Sequence, residues 1–367
     1  MSVINAYSIA LQSGIPTILW GDPGVGKTAI TMQMAETAGL PIEVVIASIR
    51  EPSDFGGLPI IVDGGVKLSP PGWALRLADG GILFIDELTT AAPAVQAACL
   101  RVIHDRVVGD IVLPDNVMIA AAANPPGIAA GGWELSAPLS NRMLHLEFQL
   151  DSALWRRGFI EGFPAPNYTA VPDGWRDGLM EQRALVASFI NARPELLMRM
   201  PEDSSSQGLA WPSPRSWDMV ATATTAAKAS GADEDTQITL VQGCVGNGPG
   251  SEYITYIINL DLPDPEEVLK GAAKFKFPPE GDKQYAILSS VMTCVVRIPT
   301  EERWKQGWKL LEAAAVQGLA DVGAVCCGPM LRLIETKDRG GAGHSFSLPE
   351  TEILPYIPLL QKAGALK

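Results

Sequence analysis

The chain has 367 residues, of which 47% are hydrophobic, and its formal net charge at pH 7 is −13. This length allows two or three domains with sizeable cores. The acidic net charge argues against general binding of nucleic acids, because cationic contacts with phosphates dominate such binding. No apolar run reaches membrane-spanning length, and the N-terminus lacks a signal-peptide pattern, so we expect a cytoplasmic protein with no membrane partner. The five cysteines form no C-x-x-C pair, which favours reduced thiols.

The first part of the chain contains a phosphate-binding motif, G-x-x-x-x-G-K-[ST]. A helix is predicted over 2–13, a buried strand over 15–20 and, after the motif, helical spacing over 28–38. Glycines allow backbone N–H groups to approach a polyphosphate, and the following helix adds its positive end. Lys27 is expected to bind the β- and γ-phosphates and Thr28 to bind Mg²⁺. The nucleotide-binding residues predicted here are Gly21, Asp22, Pro23, Gly24, Val25, Gly26, Lys27, Thr28 and Ala29.

The third buried strand ends in two carboxylates. A second strand is predicted over 42–48, and a hairpin over 59–68 separates it from the third, which runs from Ile82 to the pair Asp86 and Glu87. Parallel strands place ligands at this end. Asp86 is suited to hold Mg²⁺, usually through water, and Glu87 to polarise or deprotonate an attacking water. The alternative is an ordinary strand that ends in a solvated acidic turn.

Two further candidates follow the next strands. After a helix over 94–105 and a second hairpin over 106–116, a fourth buried strand over 117–123 ends at Asn124. The Asn124 amide could sense a γ-phosphate and orient the water, or it could form an Asx turn before proline. Arg142 lies between a short helix and a fifth strand; by itself it would be an ordinary surface charge.

The second part of the chain is dominated by helical patterns. Residues 151–180 are rich in proline, glycine and aromatics and are expected to form a connector, and Gly340-Gly-Ala-Gly marks a break before the tail. Arg215 begins a predicted helix, where the helix dipole disfavours a cation, so an anionic partner would explain it; a surface arginine is the alternative. The helices are predicted at 179–197, 214–230, 233–245, 250–260, 264–273, 283–297, 300–318 and 321–335.

Together these markers resemble an AAA+ ATPase of the MoxR group, in the class with helix-two inserts. Gly21–Thr28 resembles Walker A, Ile82–Glu87 Walker B and Asn124 sensor 1. The segment Ser53-Asp-Phe-Gly-Gly with its hairpin resembles the insert, and 106–116 the hairpin before sensor 1. Gln96-Ala-Ala-Cys-Leu resembles the Q-x-A-L-L helix of the group. Arg142 falls at the arginine-finger position, with Asn141-Arg142-Met143 where the group usually has Asp-Arg-Phe, and Trp211-Pro-Ser-Pro-Arg215 resembles sensor 2.

The resemblance implies an α/β fold: a P-loop NTPase αβα core with an α-helical lid and a helical C-terminal extension. We expect the core at 1–150, a connector and lid at 151–275 and the extension at 276–367. The implied reaction is Mg²⁺-dependent ATP hydrolysis, with Glu87, Asn124, Arg142 and Arg215 as catalytic residues and Thr28 and Asp86 as metal ligands. The implied assembly is a ring, expected as a hexamer, that remodels or activates a protein partner as a chaperone. MoxR relatives often act with proteins that carry von Willebrand factor A domains.

Two other functions are compatible with the motifs. A nucleic-acid-acting AAA+ motor is opposed by the acidic pI of about 4.8, and stimulation of hydrolysis by nucleic acid would support it. A nucleotide-dependent scaffold or switch with little turnover is opposed by the intact Glu87. The three histidines are scattered, which gives no support to a metalloprotease or a serine hydrolase.

Overall fold

The computed structural model describes residues 2–125, 132–335, 346, 349 and 351–362; the predicted break at 340–343 lies outside them. The chain divides into two compact units, Met1–Trp175 with Glu195–Ile254, and Arg176–Pro194 with Thr255–Lys367. These units do not follow the three ranges expected from the sequence. The division into a core, a connector with lid and a C-terminal extension remains a prediction about the functional parts of the chain.

The strands of the described chain all lie in the first unit. They are β1 (Thr17–Trp20), β2 (Ile42–Ile46), β3 (Leu58–Val62), β4 (Gly65–Ser69), β5 (Gly81–Asp86), β6 (Val107–Val108), β7 (Ile111–Val112), β8 (Val117–Ala123) and β9 (Leu144–Glu147).

Five of these strands form a parallel sheet in the order β2-β5-β8-β1-β9, and the pairs β3–β4 and β6–β7 form separate antiparallel hairpins. The long apolar runs explain why the sheet is parallel and buried, since helices cover both faces of such sheets. Because the strands run in one direction, the carboxyl ends of β1, β5 and β8 lie at one edge. The five strands and both hairpins were predicted. This is the AAA P-loop NTPase fold.

Helices make up most of the remaining structure. They are α1 (Ser2–Gln12), α2 (Lys27–Ala38), α3 (Ser53–Gly56), α4 (Gly72–Arg76), α5 (Pro93–Asp105), α6 (Ala137–Ser140), α7 (Ser152–Glu161), α8 (Leu179–Ala192), α9 (Ser204–Gln207), α10 (Pro214–Ala229), α11 (Glu234–Val245), α12 (Asn247–Asn259), α13 (Pro265–Lys270), α14 (Gly281–Arg297), α15 (Glu301–Val316), α16 (Ala320–Glu335) and α17 (Ile357–Lys362).

The segment 151–180, expected to be a connector, contains the helix α7 (Ser152–Glu161). The Asp151 carboxylate caps this helix by accepting hydrogen bonds from the backbone N–H groups of Ala153 and Leu154, at 2.8 and 3.2 Å. An aspartate in the N-cap position satisfies N–H groups that a helix start leaves unpaired. The cap therefore stabilises a helix in a segment whose proline, glycine and aromatic residues do not favour one.

The second unit consists of helices around its own apolar core. Trp304 and Trp308 meet edge to face in this core, and Trp304 stacks on Phe346. All five cysteines of the protein are free; four are buried, and Cys294 is half-buried. In the described part of the chain, no helix is long and apolar enough to cross a membrane.

Candidate nucleotide-binding site

The phosphate loop connects β1 to α2 at the carboxyl edge of the sheet. Gly24 and Gly26 have φ angles of +83° and +100°, a conformation that residues with a side chain rarely adopt. A Cβ on either glycine would meet nothing within 4 Å, so the space beside the loop is open. Gly21 has a further reason to be glycine, because its Cβ would lie 2.5 Å from the Phe148 carbonyl oxygen.

Lys27 is held by oxygen atoms on several sides. Its Nζ donates hydrogen bonds to the carbonyls of Gly21 and Asp22, at 2.6 and 3.1 Å, and to Asn124 Oδ1 at 3.1 Å. The side chain is buried, and this burial lowers the pKa of the ammonium, while the nearby Asp86 and Asp22 carboxylates oppose the shift. A buried cation among neutral carbonyls is suited to pair with an anionic group.

Thr28 and Asp86 meet directly, as expected for two ligands of one ion. The Thr28 hydroxyl donates a 2.6 Å hydrogen bond to Asp86 Oδ2, and Asp86 Oδ1 accepts a 2.9 Å bond from the backbone N–H of Glu87. Hydroxyl and carboxylate oxygens are ligands that Mg²⁺ accepts, and Mg²⁺ usually keeps waters and substrate phosphates in its shell. Within the described residues no cluster of three His, Cys, Asp or Glu could hold a metal by itself. The donor set therefore fits Mg²⁺ bound together with a polyphosphate.

Glu87 adopts a left-handed backbone conformation, with φ of +56°. Its carboxylate accepts a hydrogen bond from the hydroxyl of Ser48, which follows β2. In the sheet order, β2 lies on the side of β5 that is remote from β1 and the phosphate loop. The structure thus turns this carboxylate toward the outer strand. Ser48 was not among the residues predicted from the sequence.

Asn124 joins the site from the end of β8. Its side-chain oxygen accepts the hydrogen bond from Lys27, and its backbone N–H donates to Thr89 Oγ1 at 3.3 Å. The amide is therefore positioned beside the lysine that faces the expected phosphates.

Arg142 and Arg215 lie near each other and away from the phosphate loop of their own chain. Leu144, two residues after Arg142, pairs with Thr17 at the start of β1, whereas the loop follows the end of β1. Burial and the neighbouring Arg215 both lower the pKa of Arg142, and the Asp105 carboxylate opposes this shift. Arg142 Nη1 donates to the Pro138 carbonyl at 2.6 Å, and Arg215 Nη1 lies 3.5 Å from Asn141 Oδ1. Two adjacent cations without a carboxylate partner in these bonds are suited to an anion from outside the chain.

A cavity of about 940 Å³ adjoins the phosphate loop. Its walls come from the loop, from β9 and the residues after it, from the helix α11 and the residues after it, and from Leu209 and Ala210, together with Val3 and Pro125. The lining includes Trp20, Asp22, His145, Leu150, Thr239, Gln242 and Gly243. A pocket of this size is suited to the base and sugar of a nucleotide whose phosphates lie on the loop. Apart from the loop residues, sequence reasoning did not identify this lining, because α11 is far from β9 in sequence and its residues form no motif.

His145 is a buried, neutral part of this wall. Trp20 Nε1 donates a 2.8 Å hydrogen bond to His145 Nδ1, and Nε2 lies 3.0 Å from the Ser140 carbonyl. With the indole N–H as donor at Nδ1, the ring proton belongs on Nε2, where it is donated to the carbonyl. Burial lowers the pKa of His145 to about 4. The ring therefore stays uncharged at neutral pH.

Comparison with known proteins assigns the core of the chain. Residues 16–143 match the family model "AAA domain (dynein-related subfamily)". The chain is 26% identical over 155 residues to midasin of Giardia intestinalis, which covers 40% of this chain and 3% of midasin. It is 32% identical over 135 residues to the Psp operon transcriptional activator of Escherichia coli K12, covering 34% of this chain and 41% of the activator.

Among solved structures, a "putative ATPase" from Cytophaga hutchinsonii superposes with a TM-score of 0.40 at 16% identity, covering 66% of this chain and 80% of that one. The matched part of the chain spans less than half the length of either curated relative. The sequence match concerns the domain that carries the phosphate loop.

Proposed function

We propose that the chain, which carries an AAA domain, hydrolyses ATP with Mg²⁺ as one subunit of a ring of the MoxR type. The observation that supports this most is the convergence of the Lys27 ammonium, the Thr28 hydroxyl and the Asp86 carboxylate beside an open glycine loop. The three groups come from two separate sequence motifs, yet they supply the cation and the two oxygen ligands that a Mg²⁺–triphosphate needs.

In this proposal Lys27 and the loop N–H groups bind the phosphates, and the cavity between β9 and α11 binds the nucleoside. Mg²⁺, held by Thr28 and Asp86, would neutralise charge on the phosphate oxygens during transfer. Glu87 accepts a proton from the attacking water, and Asn124 orients that water. Each role falls to a residue at the carboxyl edge of the sheet.

The positive charge that completes the proposed catalytic site comes from the arginines of a second subunit. Arg142 and Arg215 lie at the other edge of the sheet from their own loop, and an adjacent copy would bring them to its neighbour's γ-phosphate. Cations aimed at charge that develops in the transition state lower the barrier. A ring, expected as a hexamer, gives every site such a neighbour.

A protein is the proposed substrate of the ring. The two hairpins are joined, because Asp110 donates from its backbone N–H to the Leu68 carbonyl at 3.0 Å and accepts from the Leu68 N–H at 2.8 Å. Apolar side chains on them are exposed, including Ile61 at 83% and Val112 at 69%. Exposed apolar groups suit a polypeptide better than a phosphate backbone, and the net charge of −13 points the same way. A partner with a von Willebrand factor A domain remains part of the proposal.

The proposal is tested by two substitutions with different effects. Lys27→Ala should abolish ATP binding, because it removes the cation that faces the phosphates. Glu87→Gln should keep binding within about twofold while it lowers hydrolysis roughly 10²–10⁴-fold, the usual contribution of a general base. Fluorescent-ATP binding and phosphate release are measured on both variants and on the wild type. Hydrolysis by Glu87→Gln at the wild-type rate would refute the assignment of Glu87.

A further inference from the structure

His145 is a buried polar side chain that the proposed chemistry does not use. It lies in β9 and is 8% exposed. Its ring accepts a hydrogen bond at Nδ1 from Trp20 Nε1, at 2.8 Å, and its Nε2 lies 3.0 Å from the Ser140 carbonyl oxygen. An apolar side chain would fill this place at a lower cost of desolvation, so the two hydrogen bonds indicate a role beyond packing.

The three residues connect opposite ends of the neighbouring strands β1 and β9. Trp20 ends β1 and directly precedes the phosphate loop, whereas Ser140 ends α6, before β9 begins. His145 pairs with Ile18, two residues before Trp20, so its ring lies between the two ends. Trp20 and His145 both line the cavity beside the phosphate loop, which we call the nucleotide cavity. A hydrogen-bonded connection therefore runs from the start of the loop, along the cavity wall, to the residue before Asn141.

The segment Ser140-Asn141-Arg142 is bonded to the segment that carries Arg215. Asn141 is 6% exposed; its Nδ2 donates to the Trp211 carbonyl at 3.2 Å, and its Oδ1 accepts from the Ser213 hydroxyl at 2.7 Å. Ser213 in turn caps α10, and Arg215 is the second residue of that helix. The connection that begins at Trp20 therefore reaches both arginines.

Arg142 and Arg215, which we call the arginine pair, are close enough to interact electrostatically. Like charges repel, so the proximity of the pair must be imposed by the segments that carry it. Ser140 joins these segments directly, because its hydroxyl donates a 2.5 Å hydrogen bond to the Leu209 carbonyl. A group that holds Ser140 therefore helps to set the position of the pair.

We propose that His145 is a positioning residue for the arginine pair: from the wall of the nucleotide cavity, its Nε2–H holds the Ser140 carbonyl and with it the segment from which Arg142 extends. The inference rests on the proposed function, in which the pair serves the γ-phosphate of a neighbouring subunit. A nucleoside in the cavity would contact the same ring that holds the arginines of its own chain. His145 would thus connect the site of one subunit to the arginines which that subunit supplies to the next.

The test compares two amide side chains at position 145. In His145→Gln the amide nitrogen takes the place of Nε2 and can still donate to the Ser140 carbonyl, so phosphate release should stay within about threefold of the wild type. In His145→Asn the shorter amide can accept from Trp20 at the place of Nδ1 but cannot reach Ser140. Because a misplacement of about 1 Å can cost about 10²-fold in rate, phosphate release should fall about 10- to 100-fold. Both variants should bind fluorescent ATP within about threefold of the wild type, since the loop and Lys27 are unchanged.

Mixed, reassembled rings show which half of the site His145→Asn has lost. Rings of His145→Asn with Lys27→Ala should recover phosphate release in part, because the Lys27→Ala subunits supply an intact arginine pair to an intact loop. Rings of His145→Asn with Arg142→Ala should not recover, because both variants then lack a working arginine pair.

Three results would overturn the inference. They are wild-type hydrolysis by His145→Asn, loss of ATP binding by His145→Asn, and recovery with Arg142→Ala in place of Lys27→Ala. The second and third would assign His145 to the nucleotide pocket of its own chain. Failure of Arg142→Ala and Lys27→Ala to restore each other in mixed rings would instead refute the shared site of the proposed function, on which the inference depends.

Discussion

The proposed role of Glu87 requires its carboxylate to move out of the hydrogen bond in which the structure holds it. Its carboxylate bonds to Ser48 beyond the outer side of β5, and its backbone is in the left-handed region. The pair Ser48–Glu87 therefore restrains the side chain of the proposed general base.

Ser48→Ala should raise basal ATP turnover about threefold, because a net hydrogen-bond contribution of about 0.5–1.5 kcal/mol no longer opposes movement of the carboxylate. The apparent affinity for ATP should not change, since Ser48 does not contact the phosphate loop. Steady-state phosphate release gives both values, and Ser48→Thr, which keeps the hydroxyl, should behave like the wild type. An unchanged or lower turnover of Ser48→Ala would mean that the contact positions Glu87 for catalysis instead.

Residues within a motif could be predicted from the sequence because their chemistry is set by local spacing. Lys27, Asp86 and Asn124 lie at or after the ends of strands that finish at one edge, so their convergence follows from a parallel sheet. Ser48 and His145 could not be predicted in this way. Their roles depend on side-chain contacts across the sheet, for which the sequence offers no spacing rule.

At the scale of elements, α11 approaches β9 so closely that a side chain at position 243 would not fit between them. A Cβ on Gly243 would lie 2.5 Å from the His145 carbonyl oxygen. Both elements line the nucleotide cavity, so this contact sets the width of the pocket. The helix itself was predicted, but its packing partner was not, because a glycine inside a helix has several possible causes.

Gly243→Ala should destabilise the first unit by about 1–3 kcal/mol, the usual cost of overpacking, and weaken ATP binding as α11 moves away from β9. Gly248→Ala is the matched control: its Cβ would meet nothing within 4 Å, so it should leave both properties unchanged. Thermal unfolding and fluorescent-ATP titration measure the two effects. Equal behaviour of the two alanine variants would show that the contact does not shape the pocket.

At the scale of the whole molecule, one chain holds two incomplete halves of the proposed site. The phosphate loop and Glu87 lie at the carboxyl edge of the sheet, and the arginine pair lies at the other. The five strands of the sheet followed from the sequence, since apolar runs and motifs identify them, whereas their spatial order comes from the structure. Helix α7 did not follow from the sequence, because it lies in a segment whose composition favours a loop.

The account is tested most directly by dividing the site between two inactive variants. Arg142→Ala should keep ATP affinity within a few-fold and lose nearly all hydrolysis, since such arginines contribute roughly 10³–10⁵ in rate in GTPases. Lys27→Ala should be inactive because it cannot bind ATP. In mixed, reassembled rings, an intact pocket of one variant faces an intact arginine of the other, so phosphate release should recover in part. Full activity of Arg142→Ala alone, or no recovery in rings shown to be mixed, would contradict a site shared between subunits.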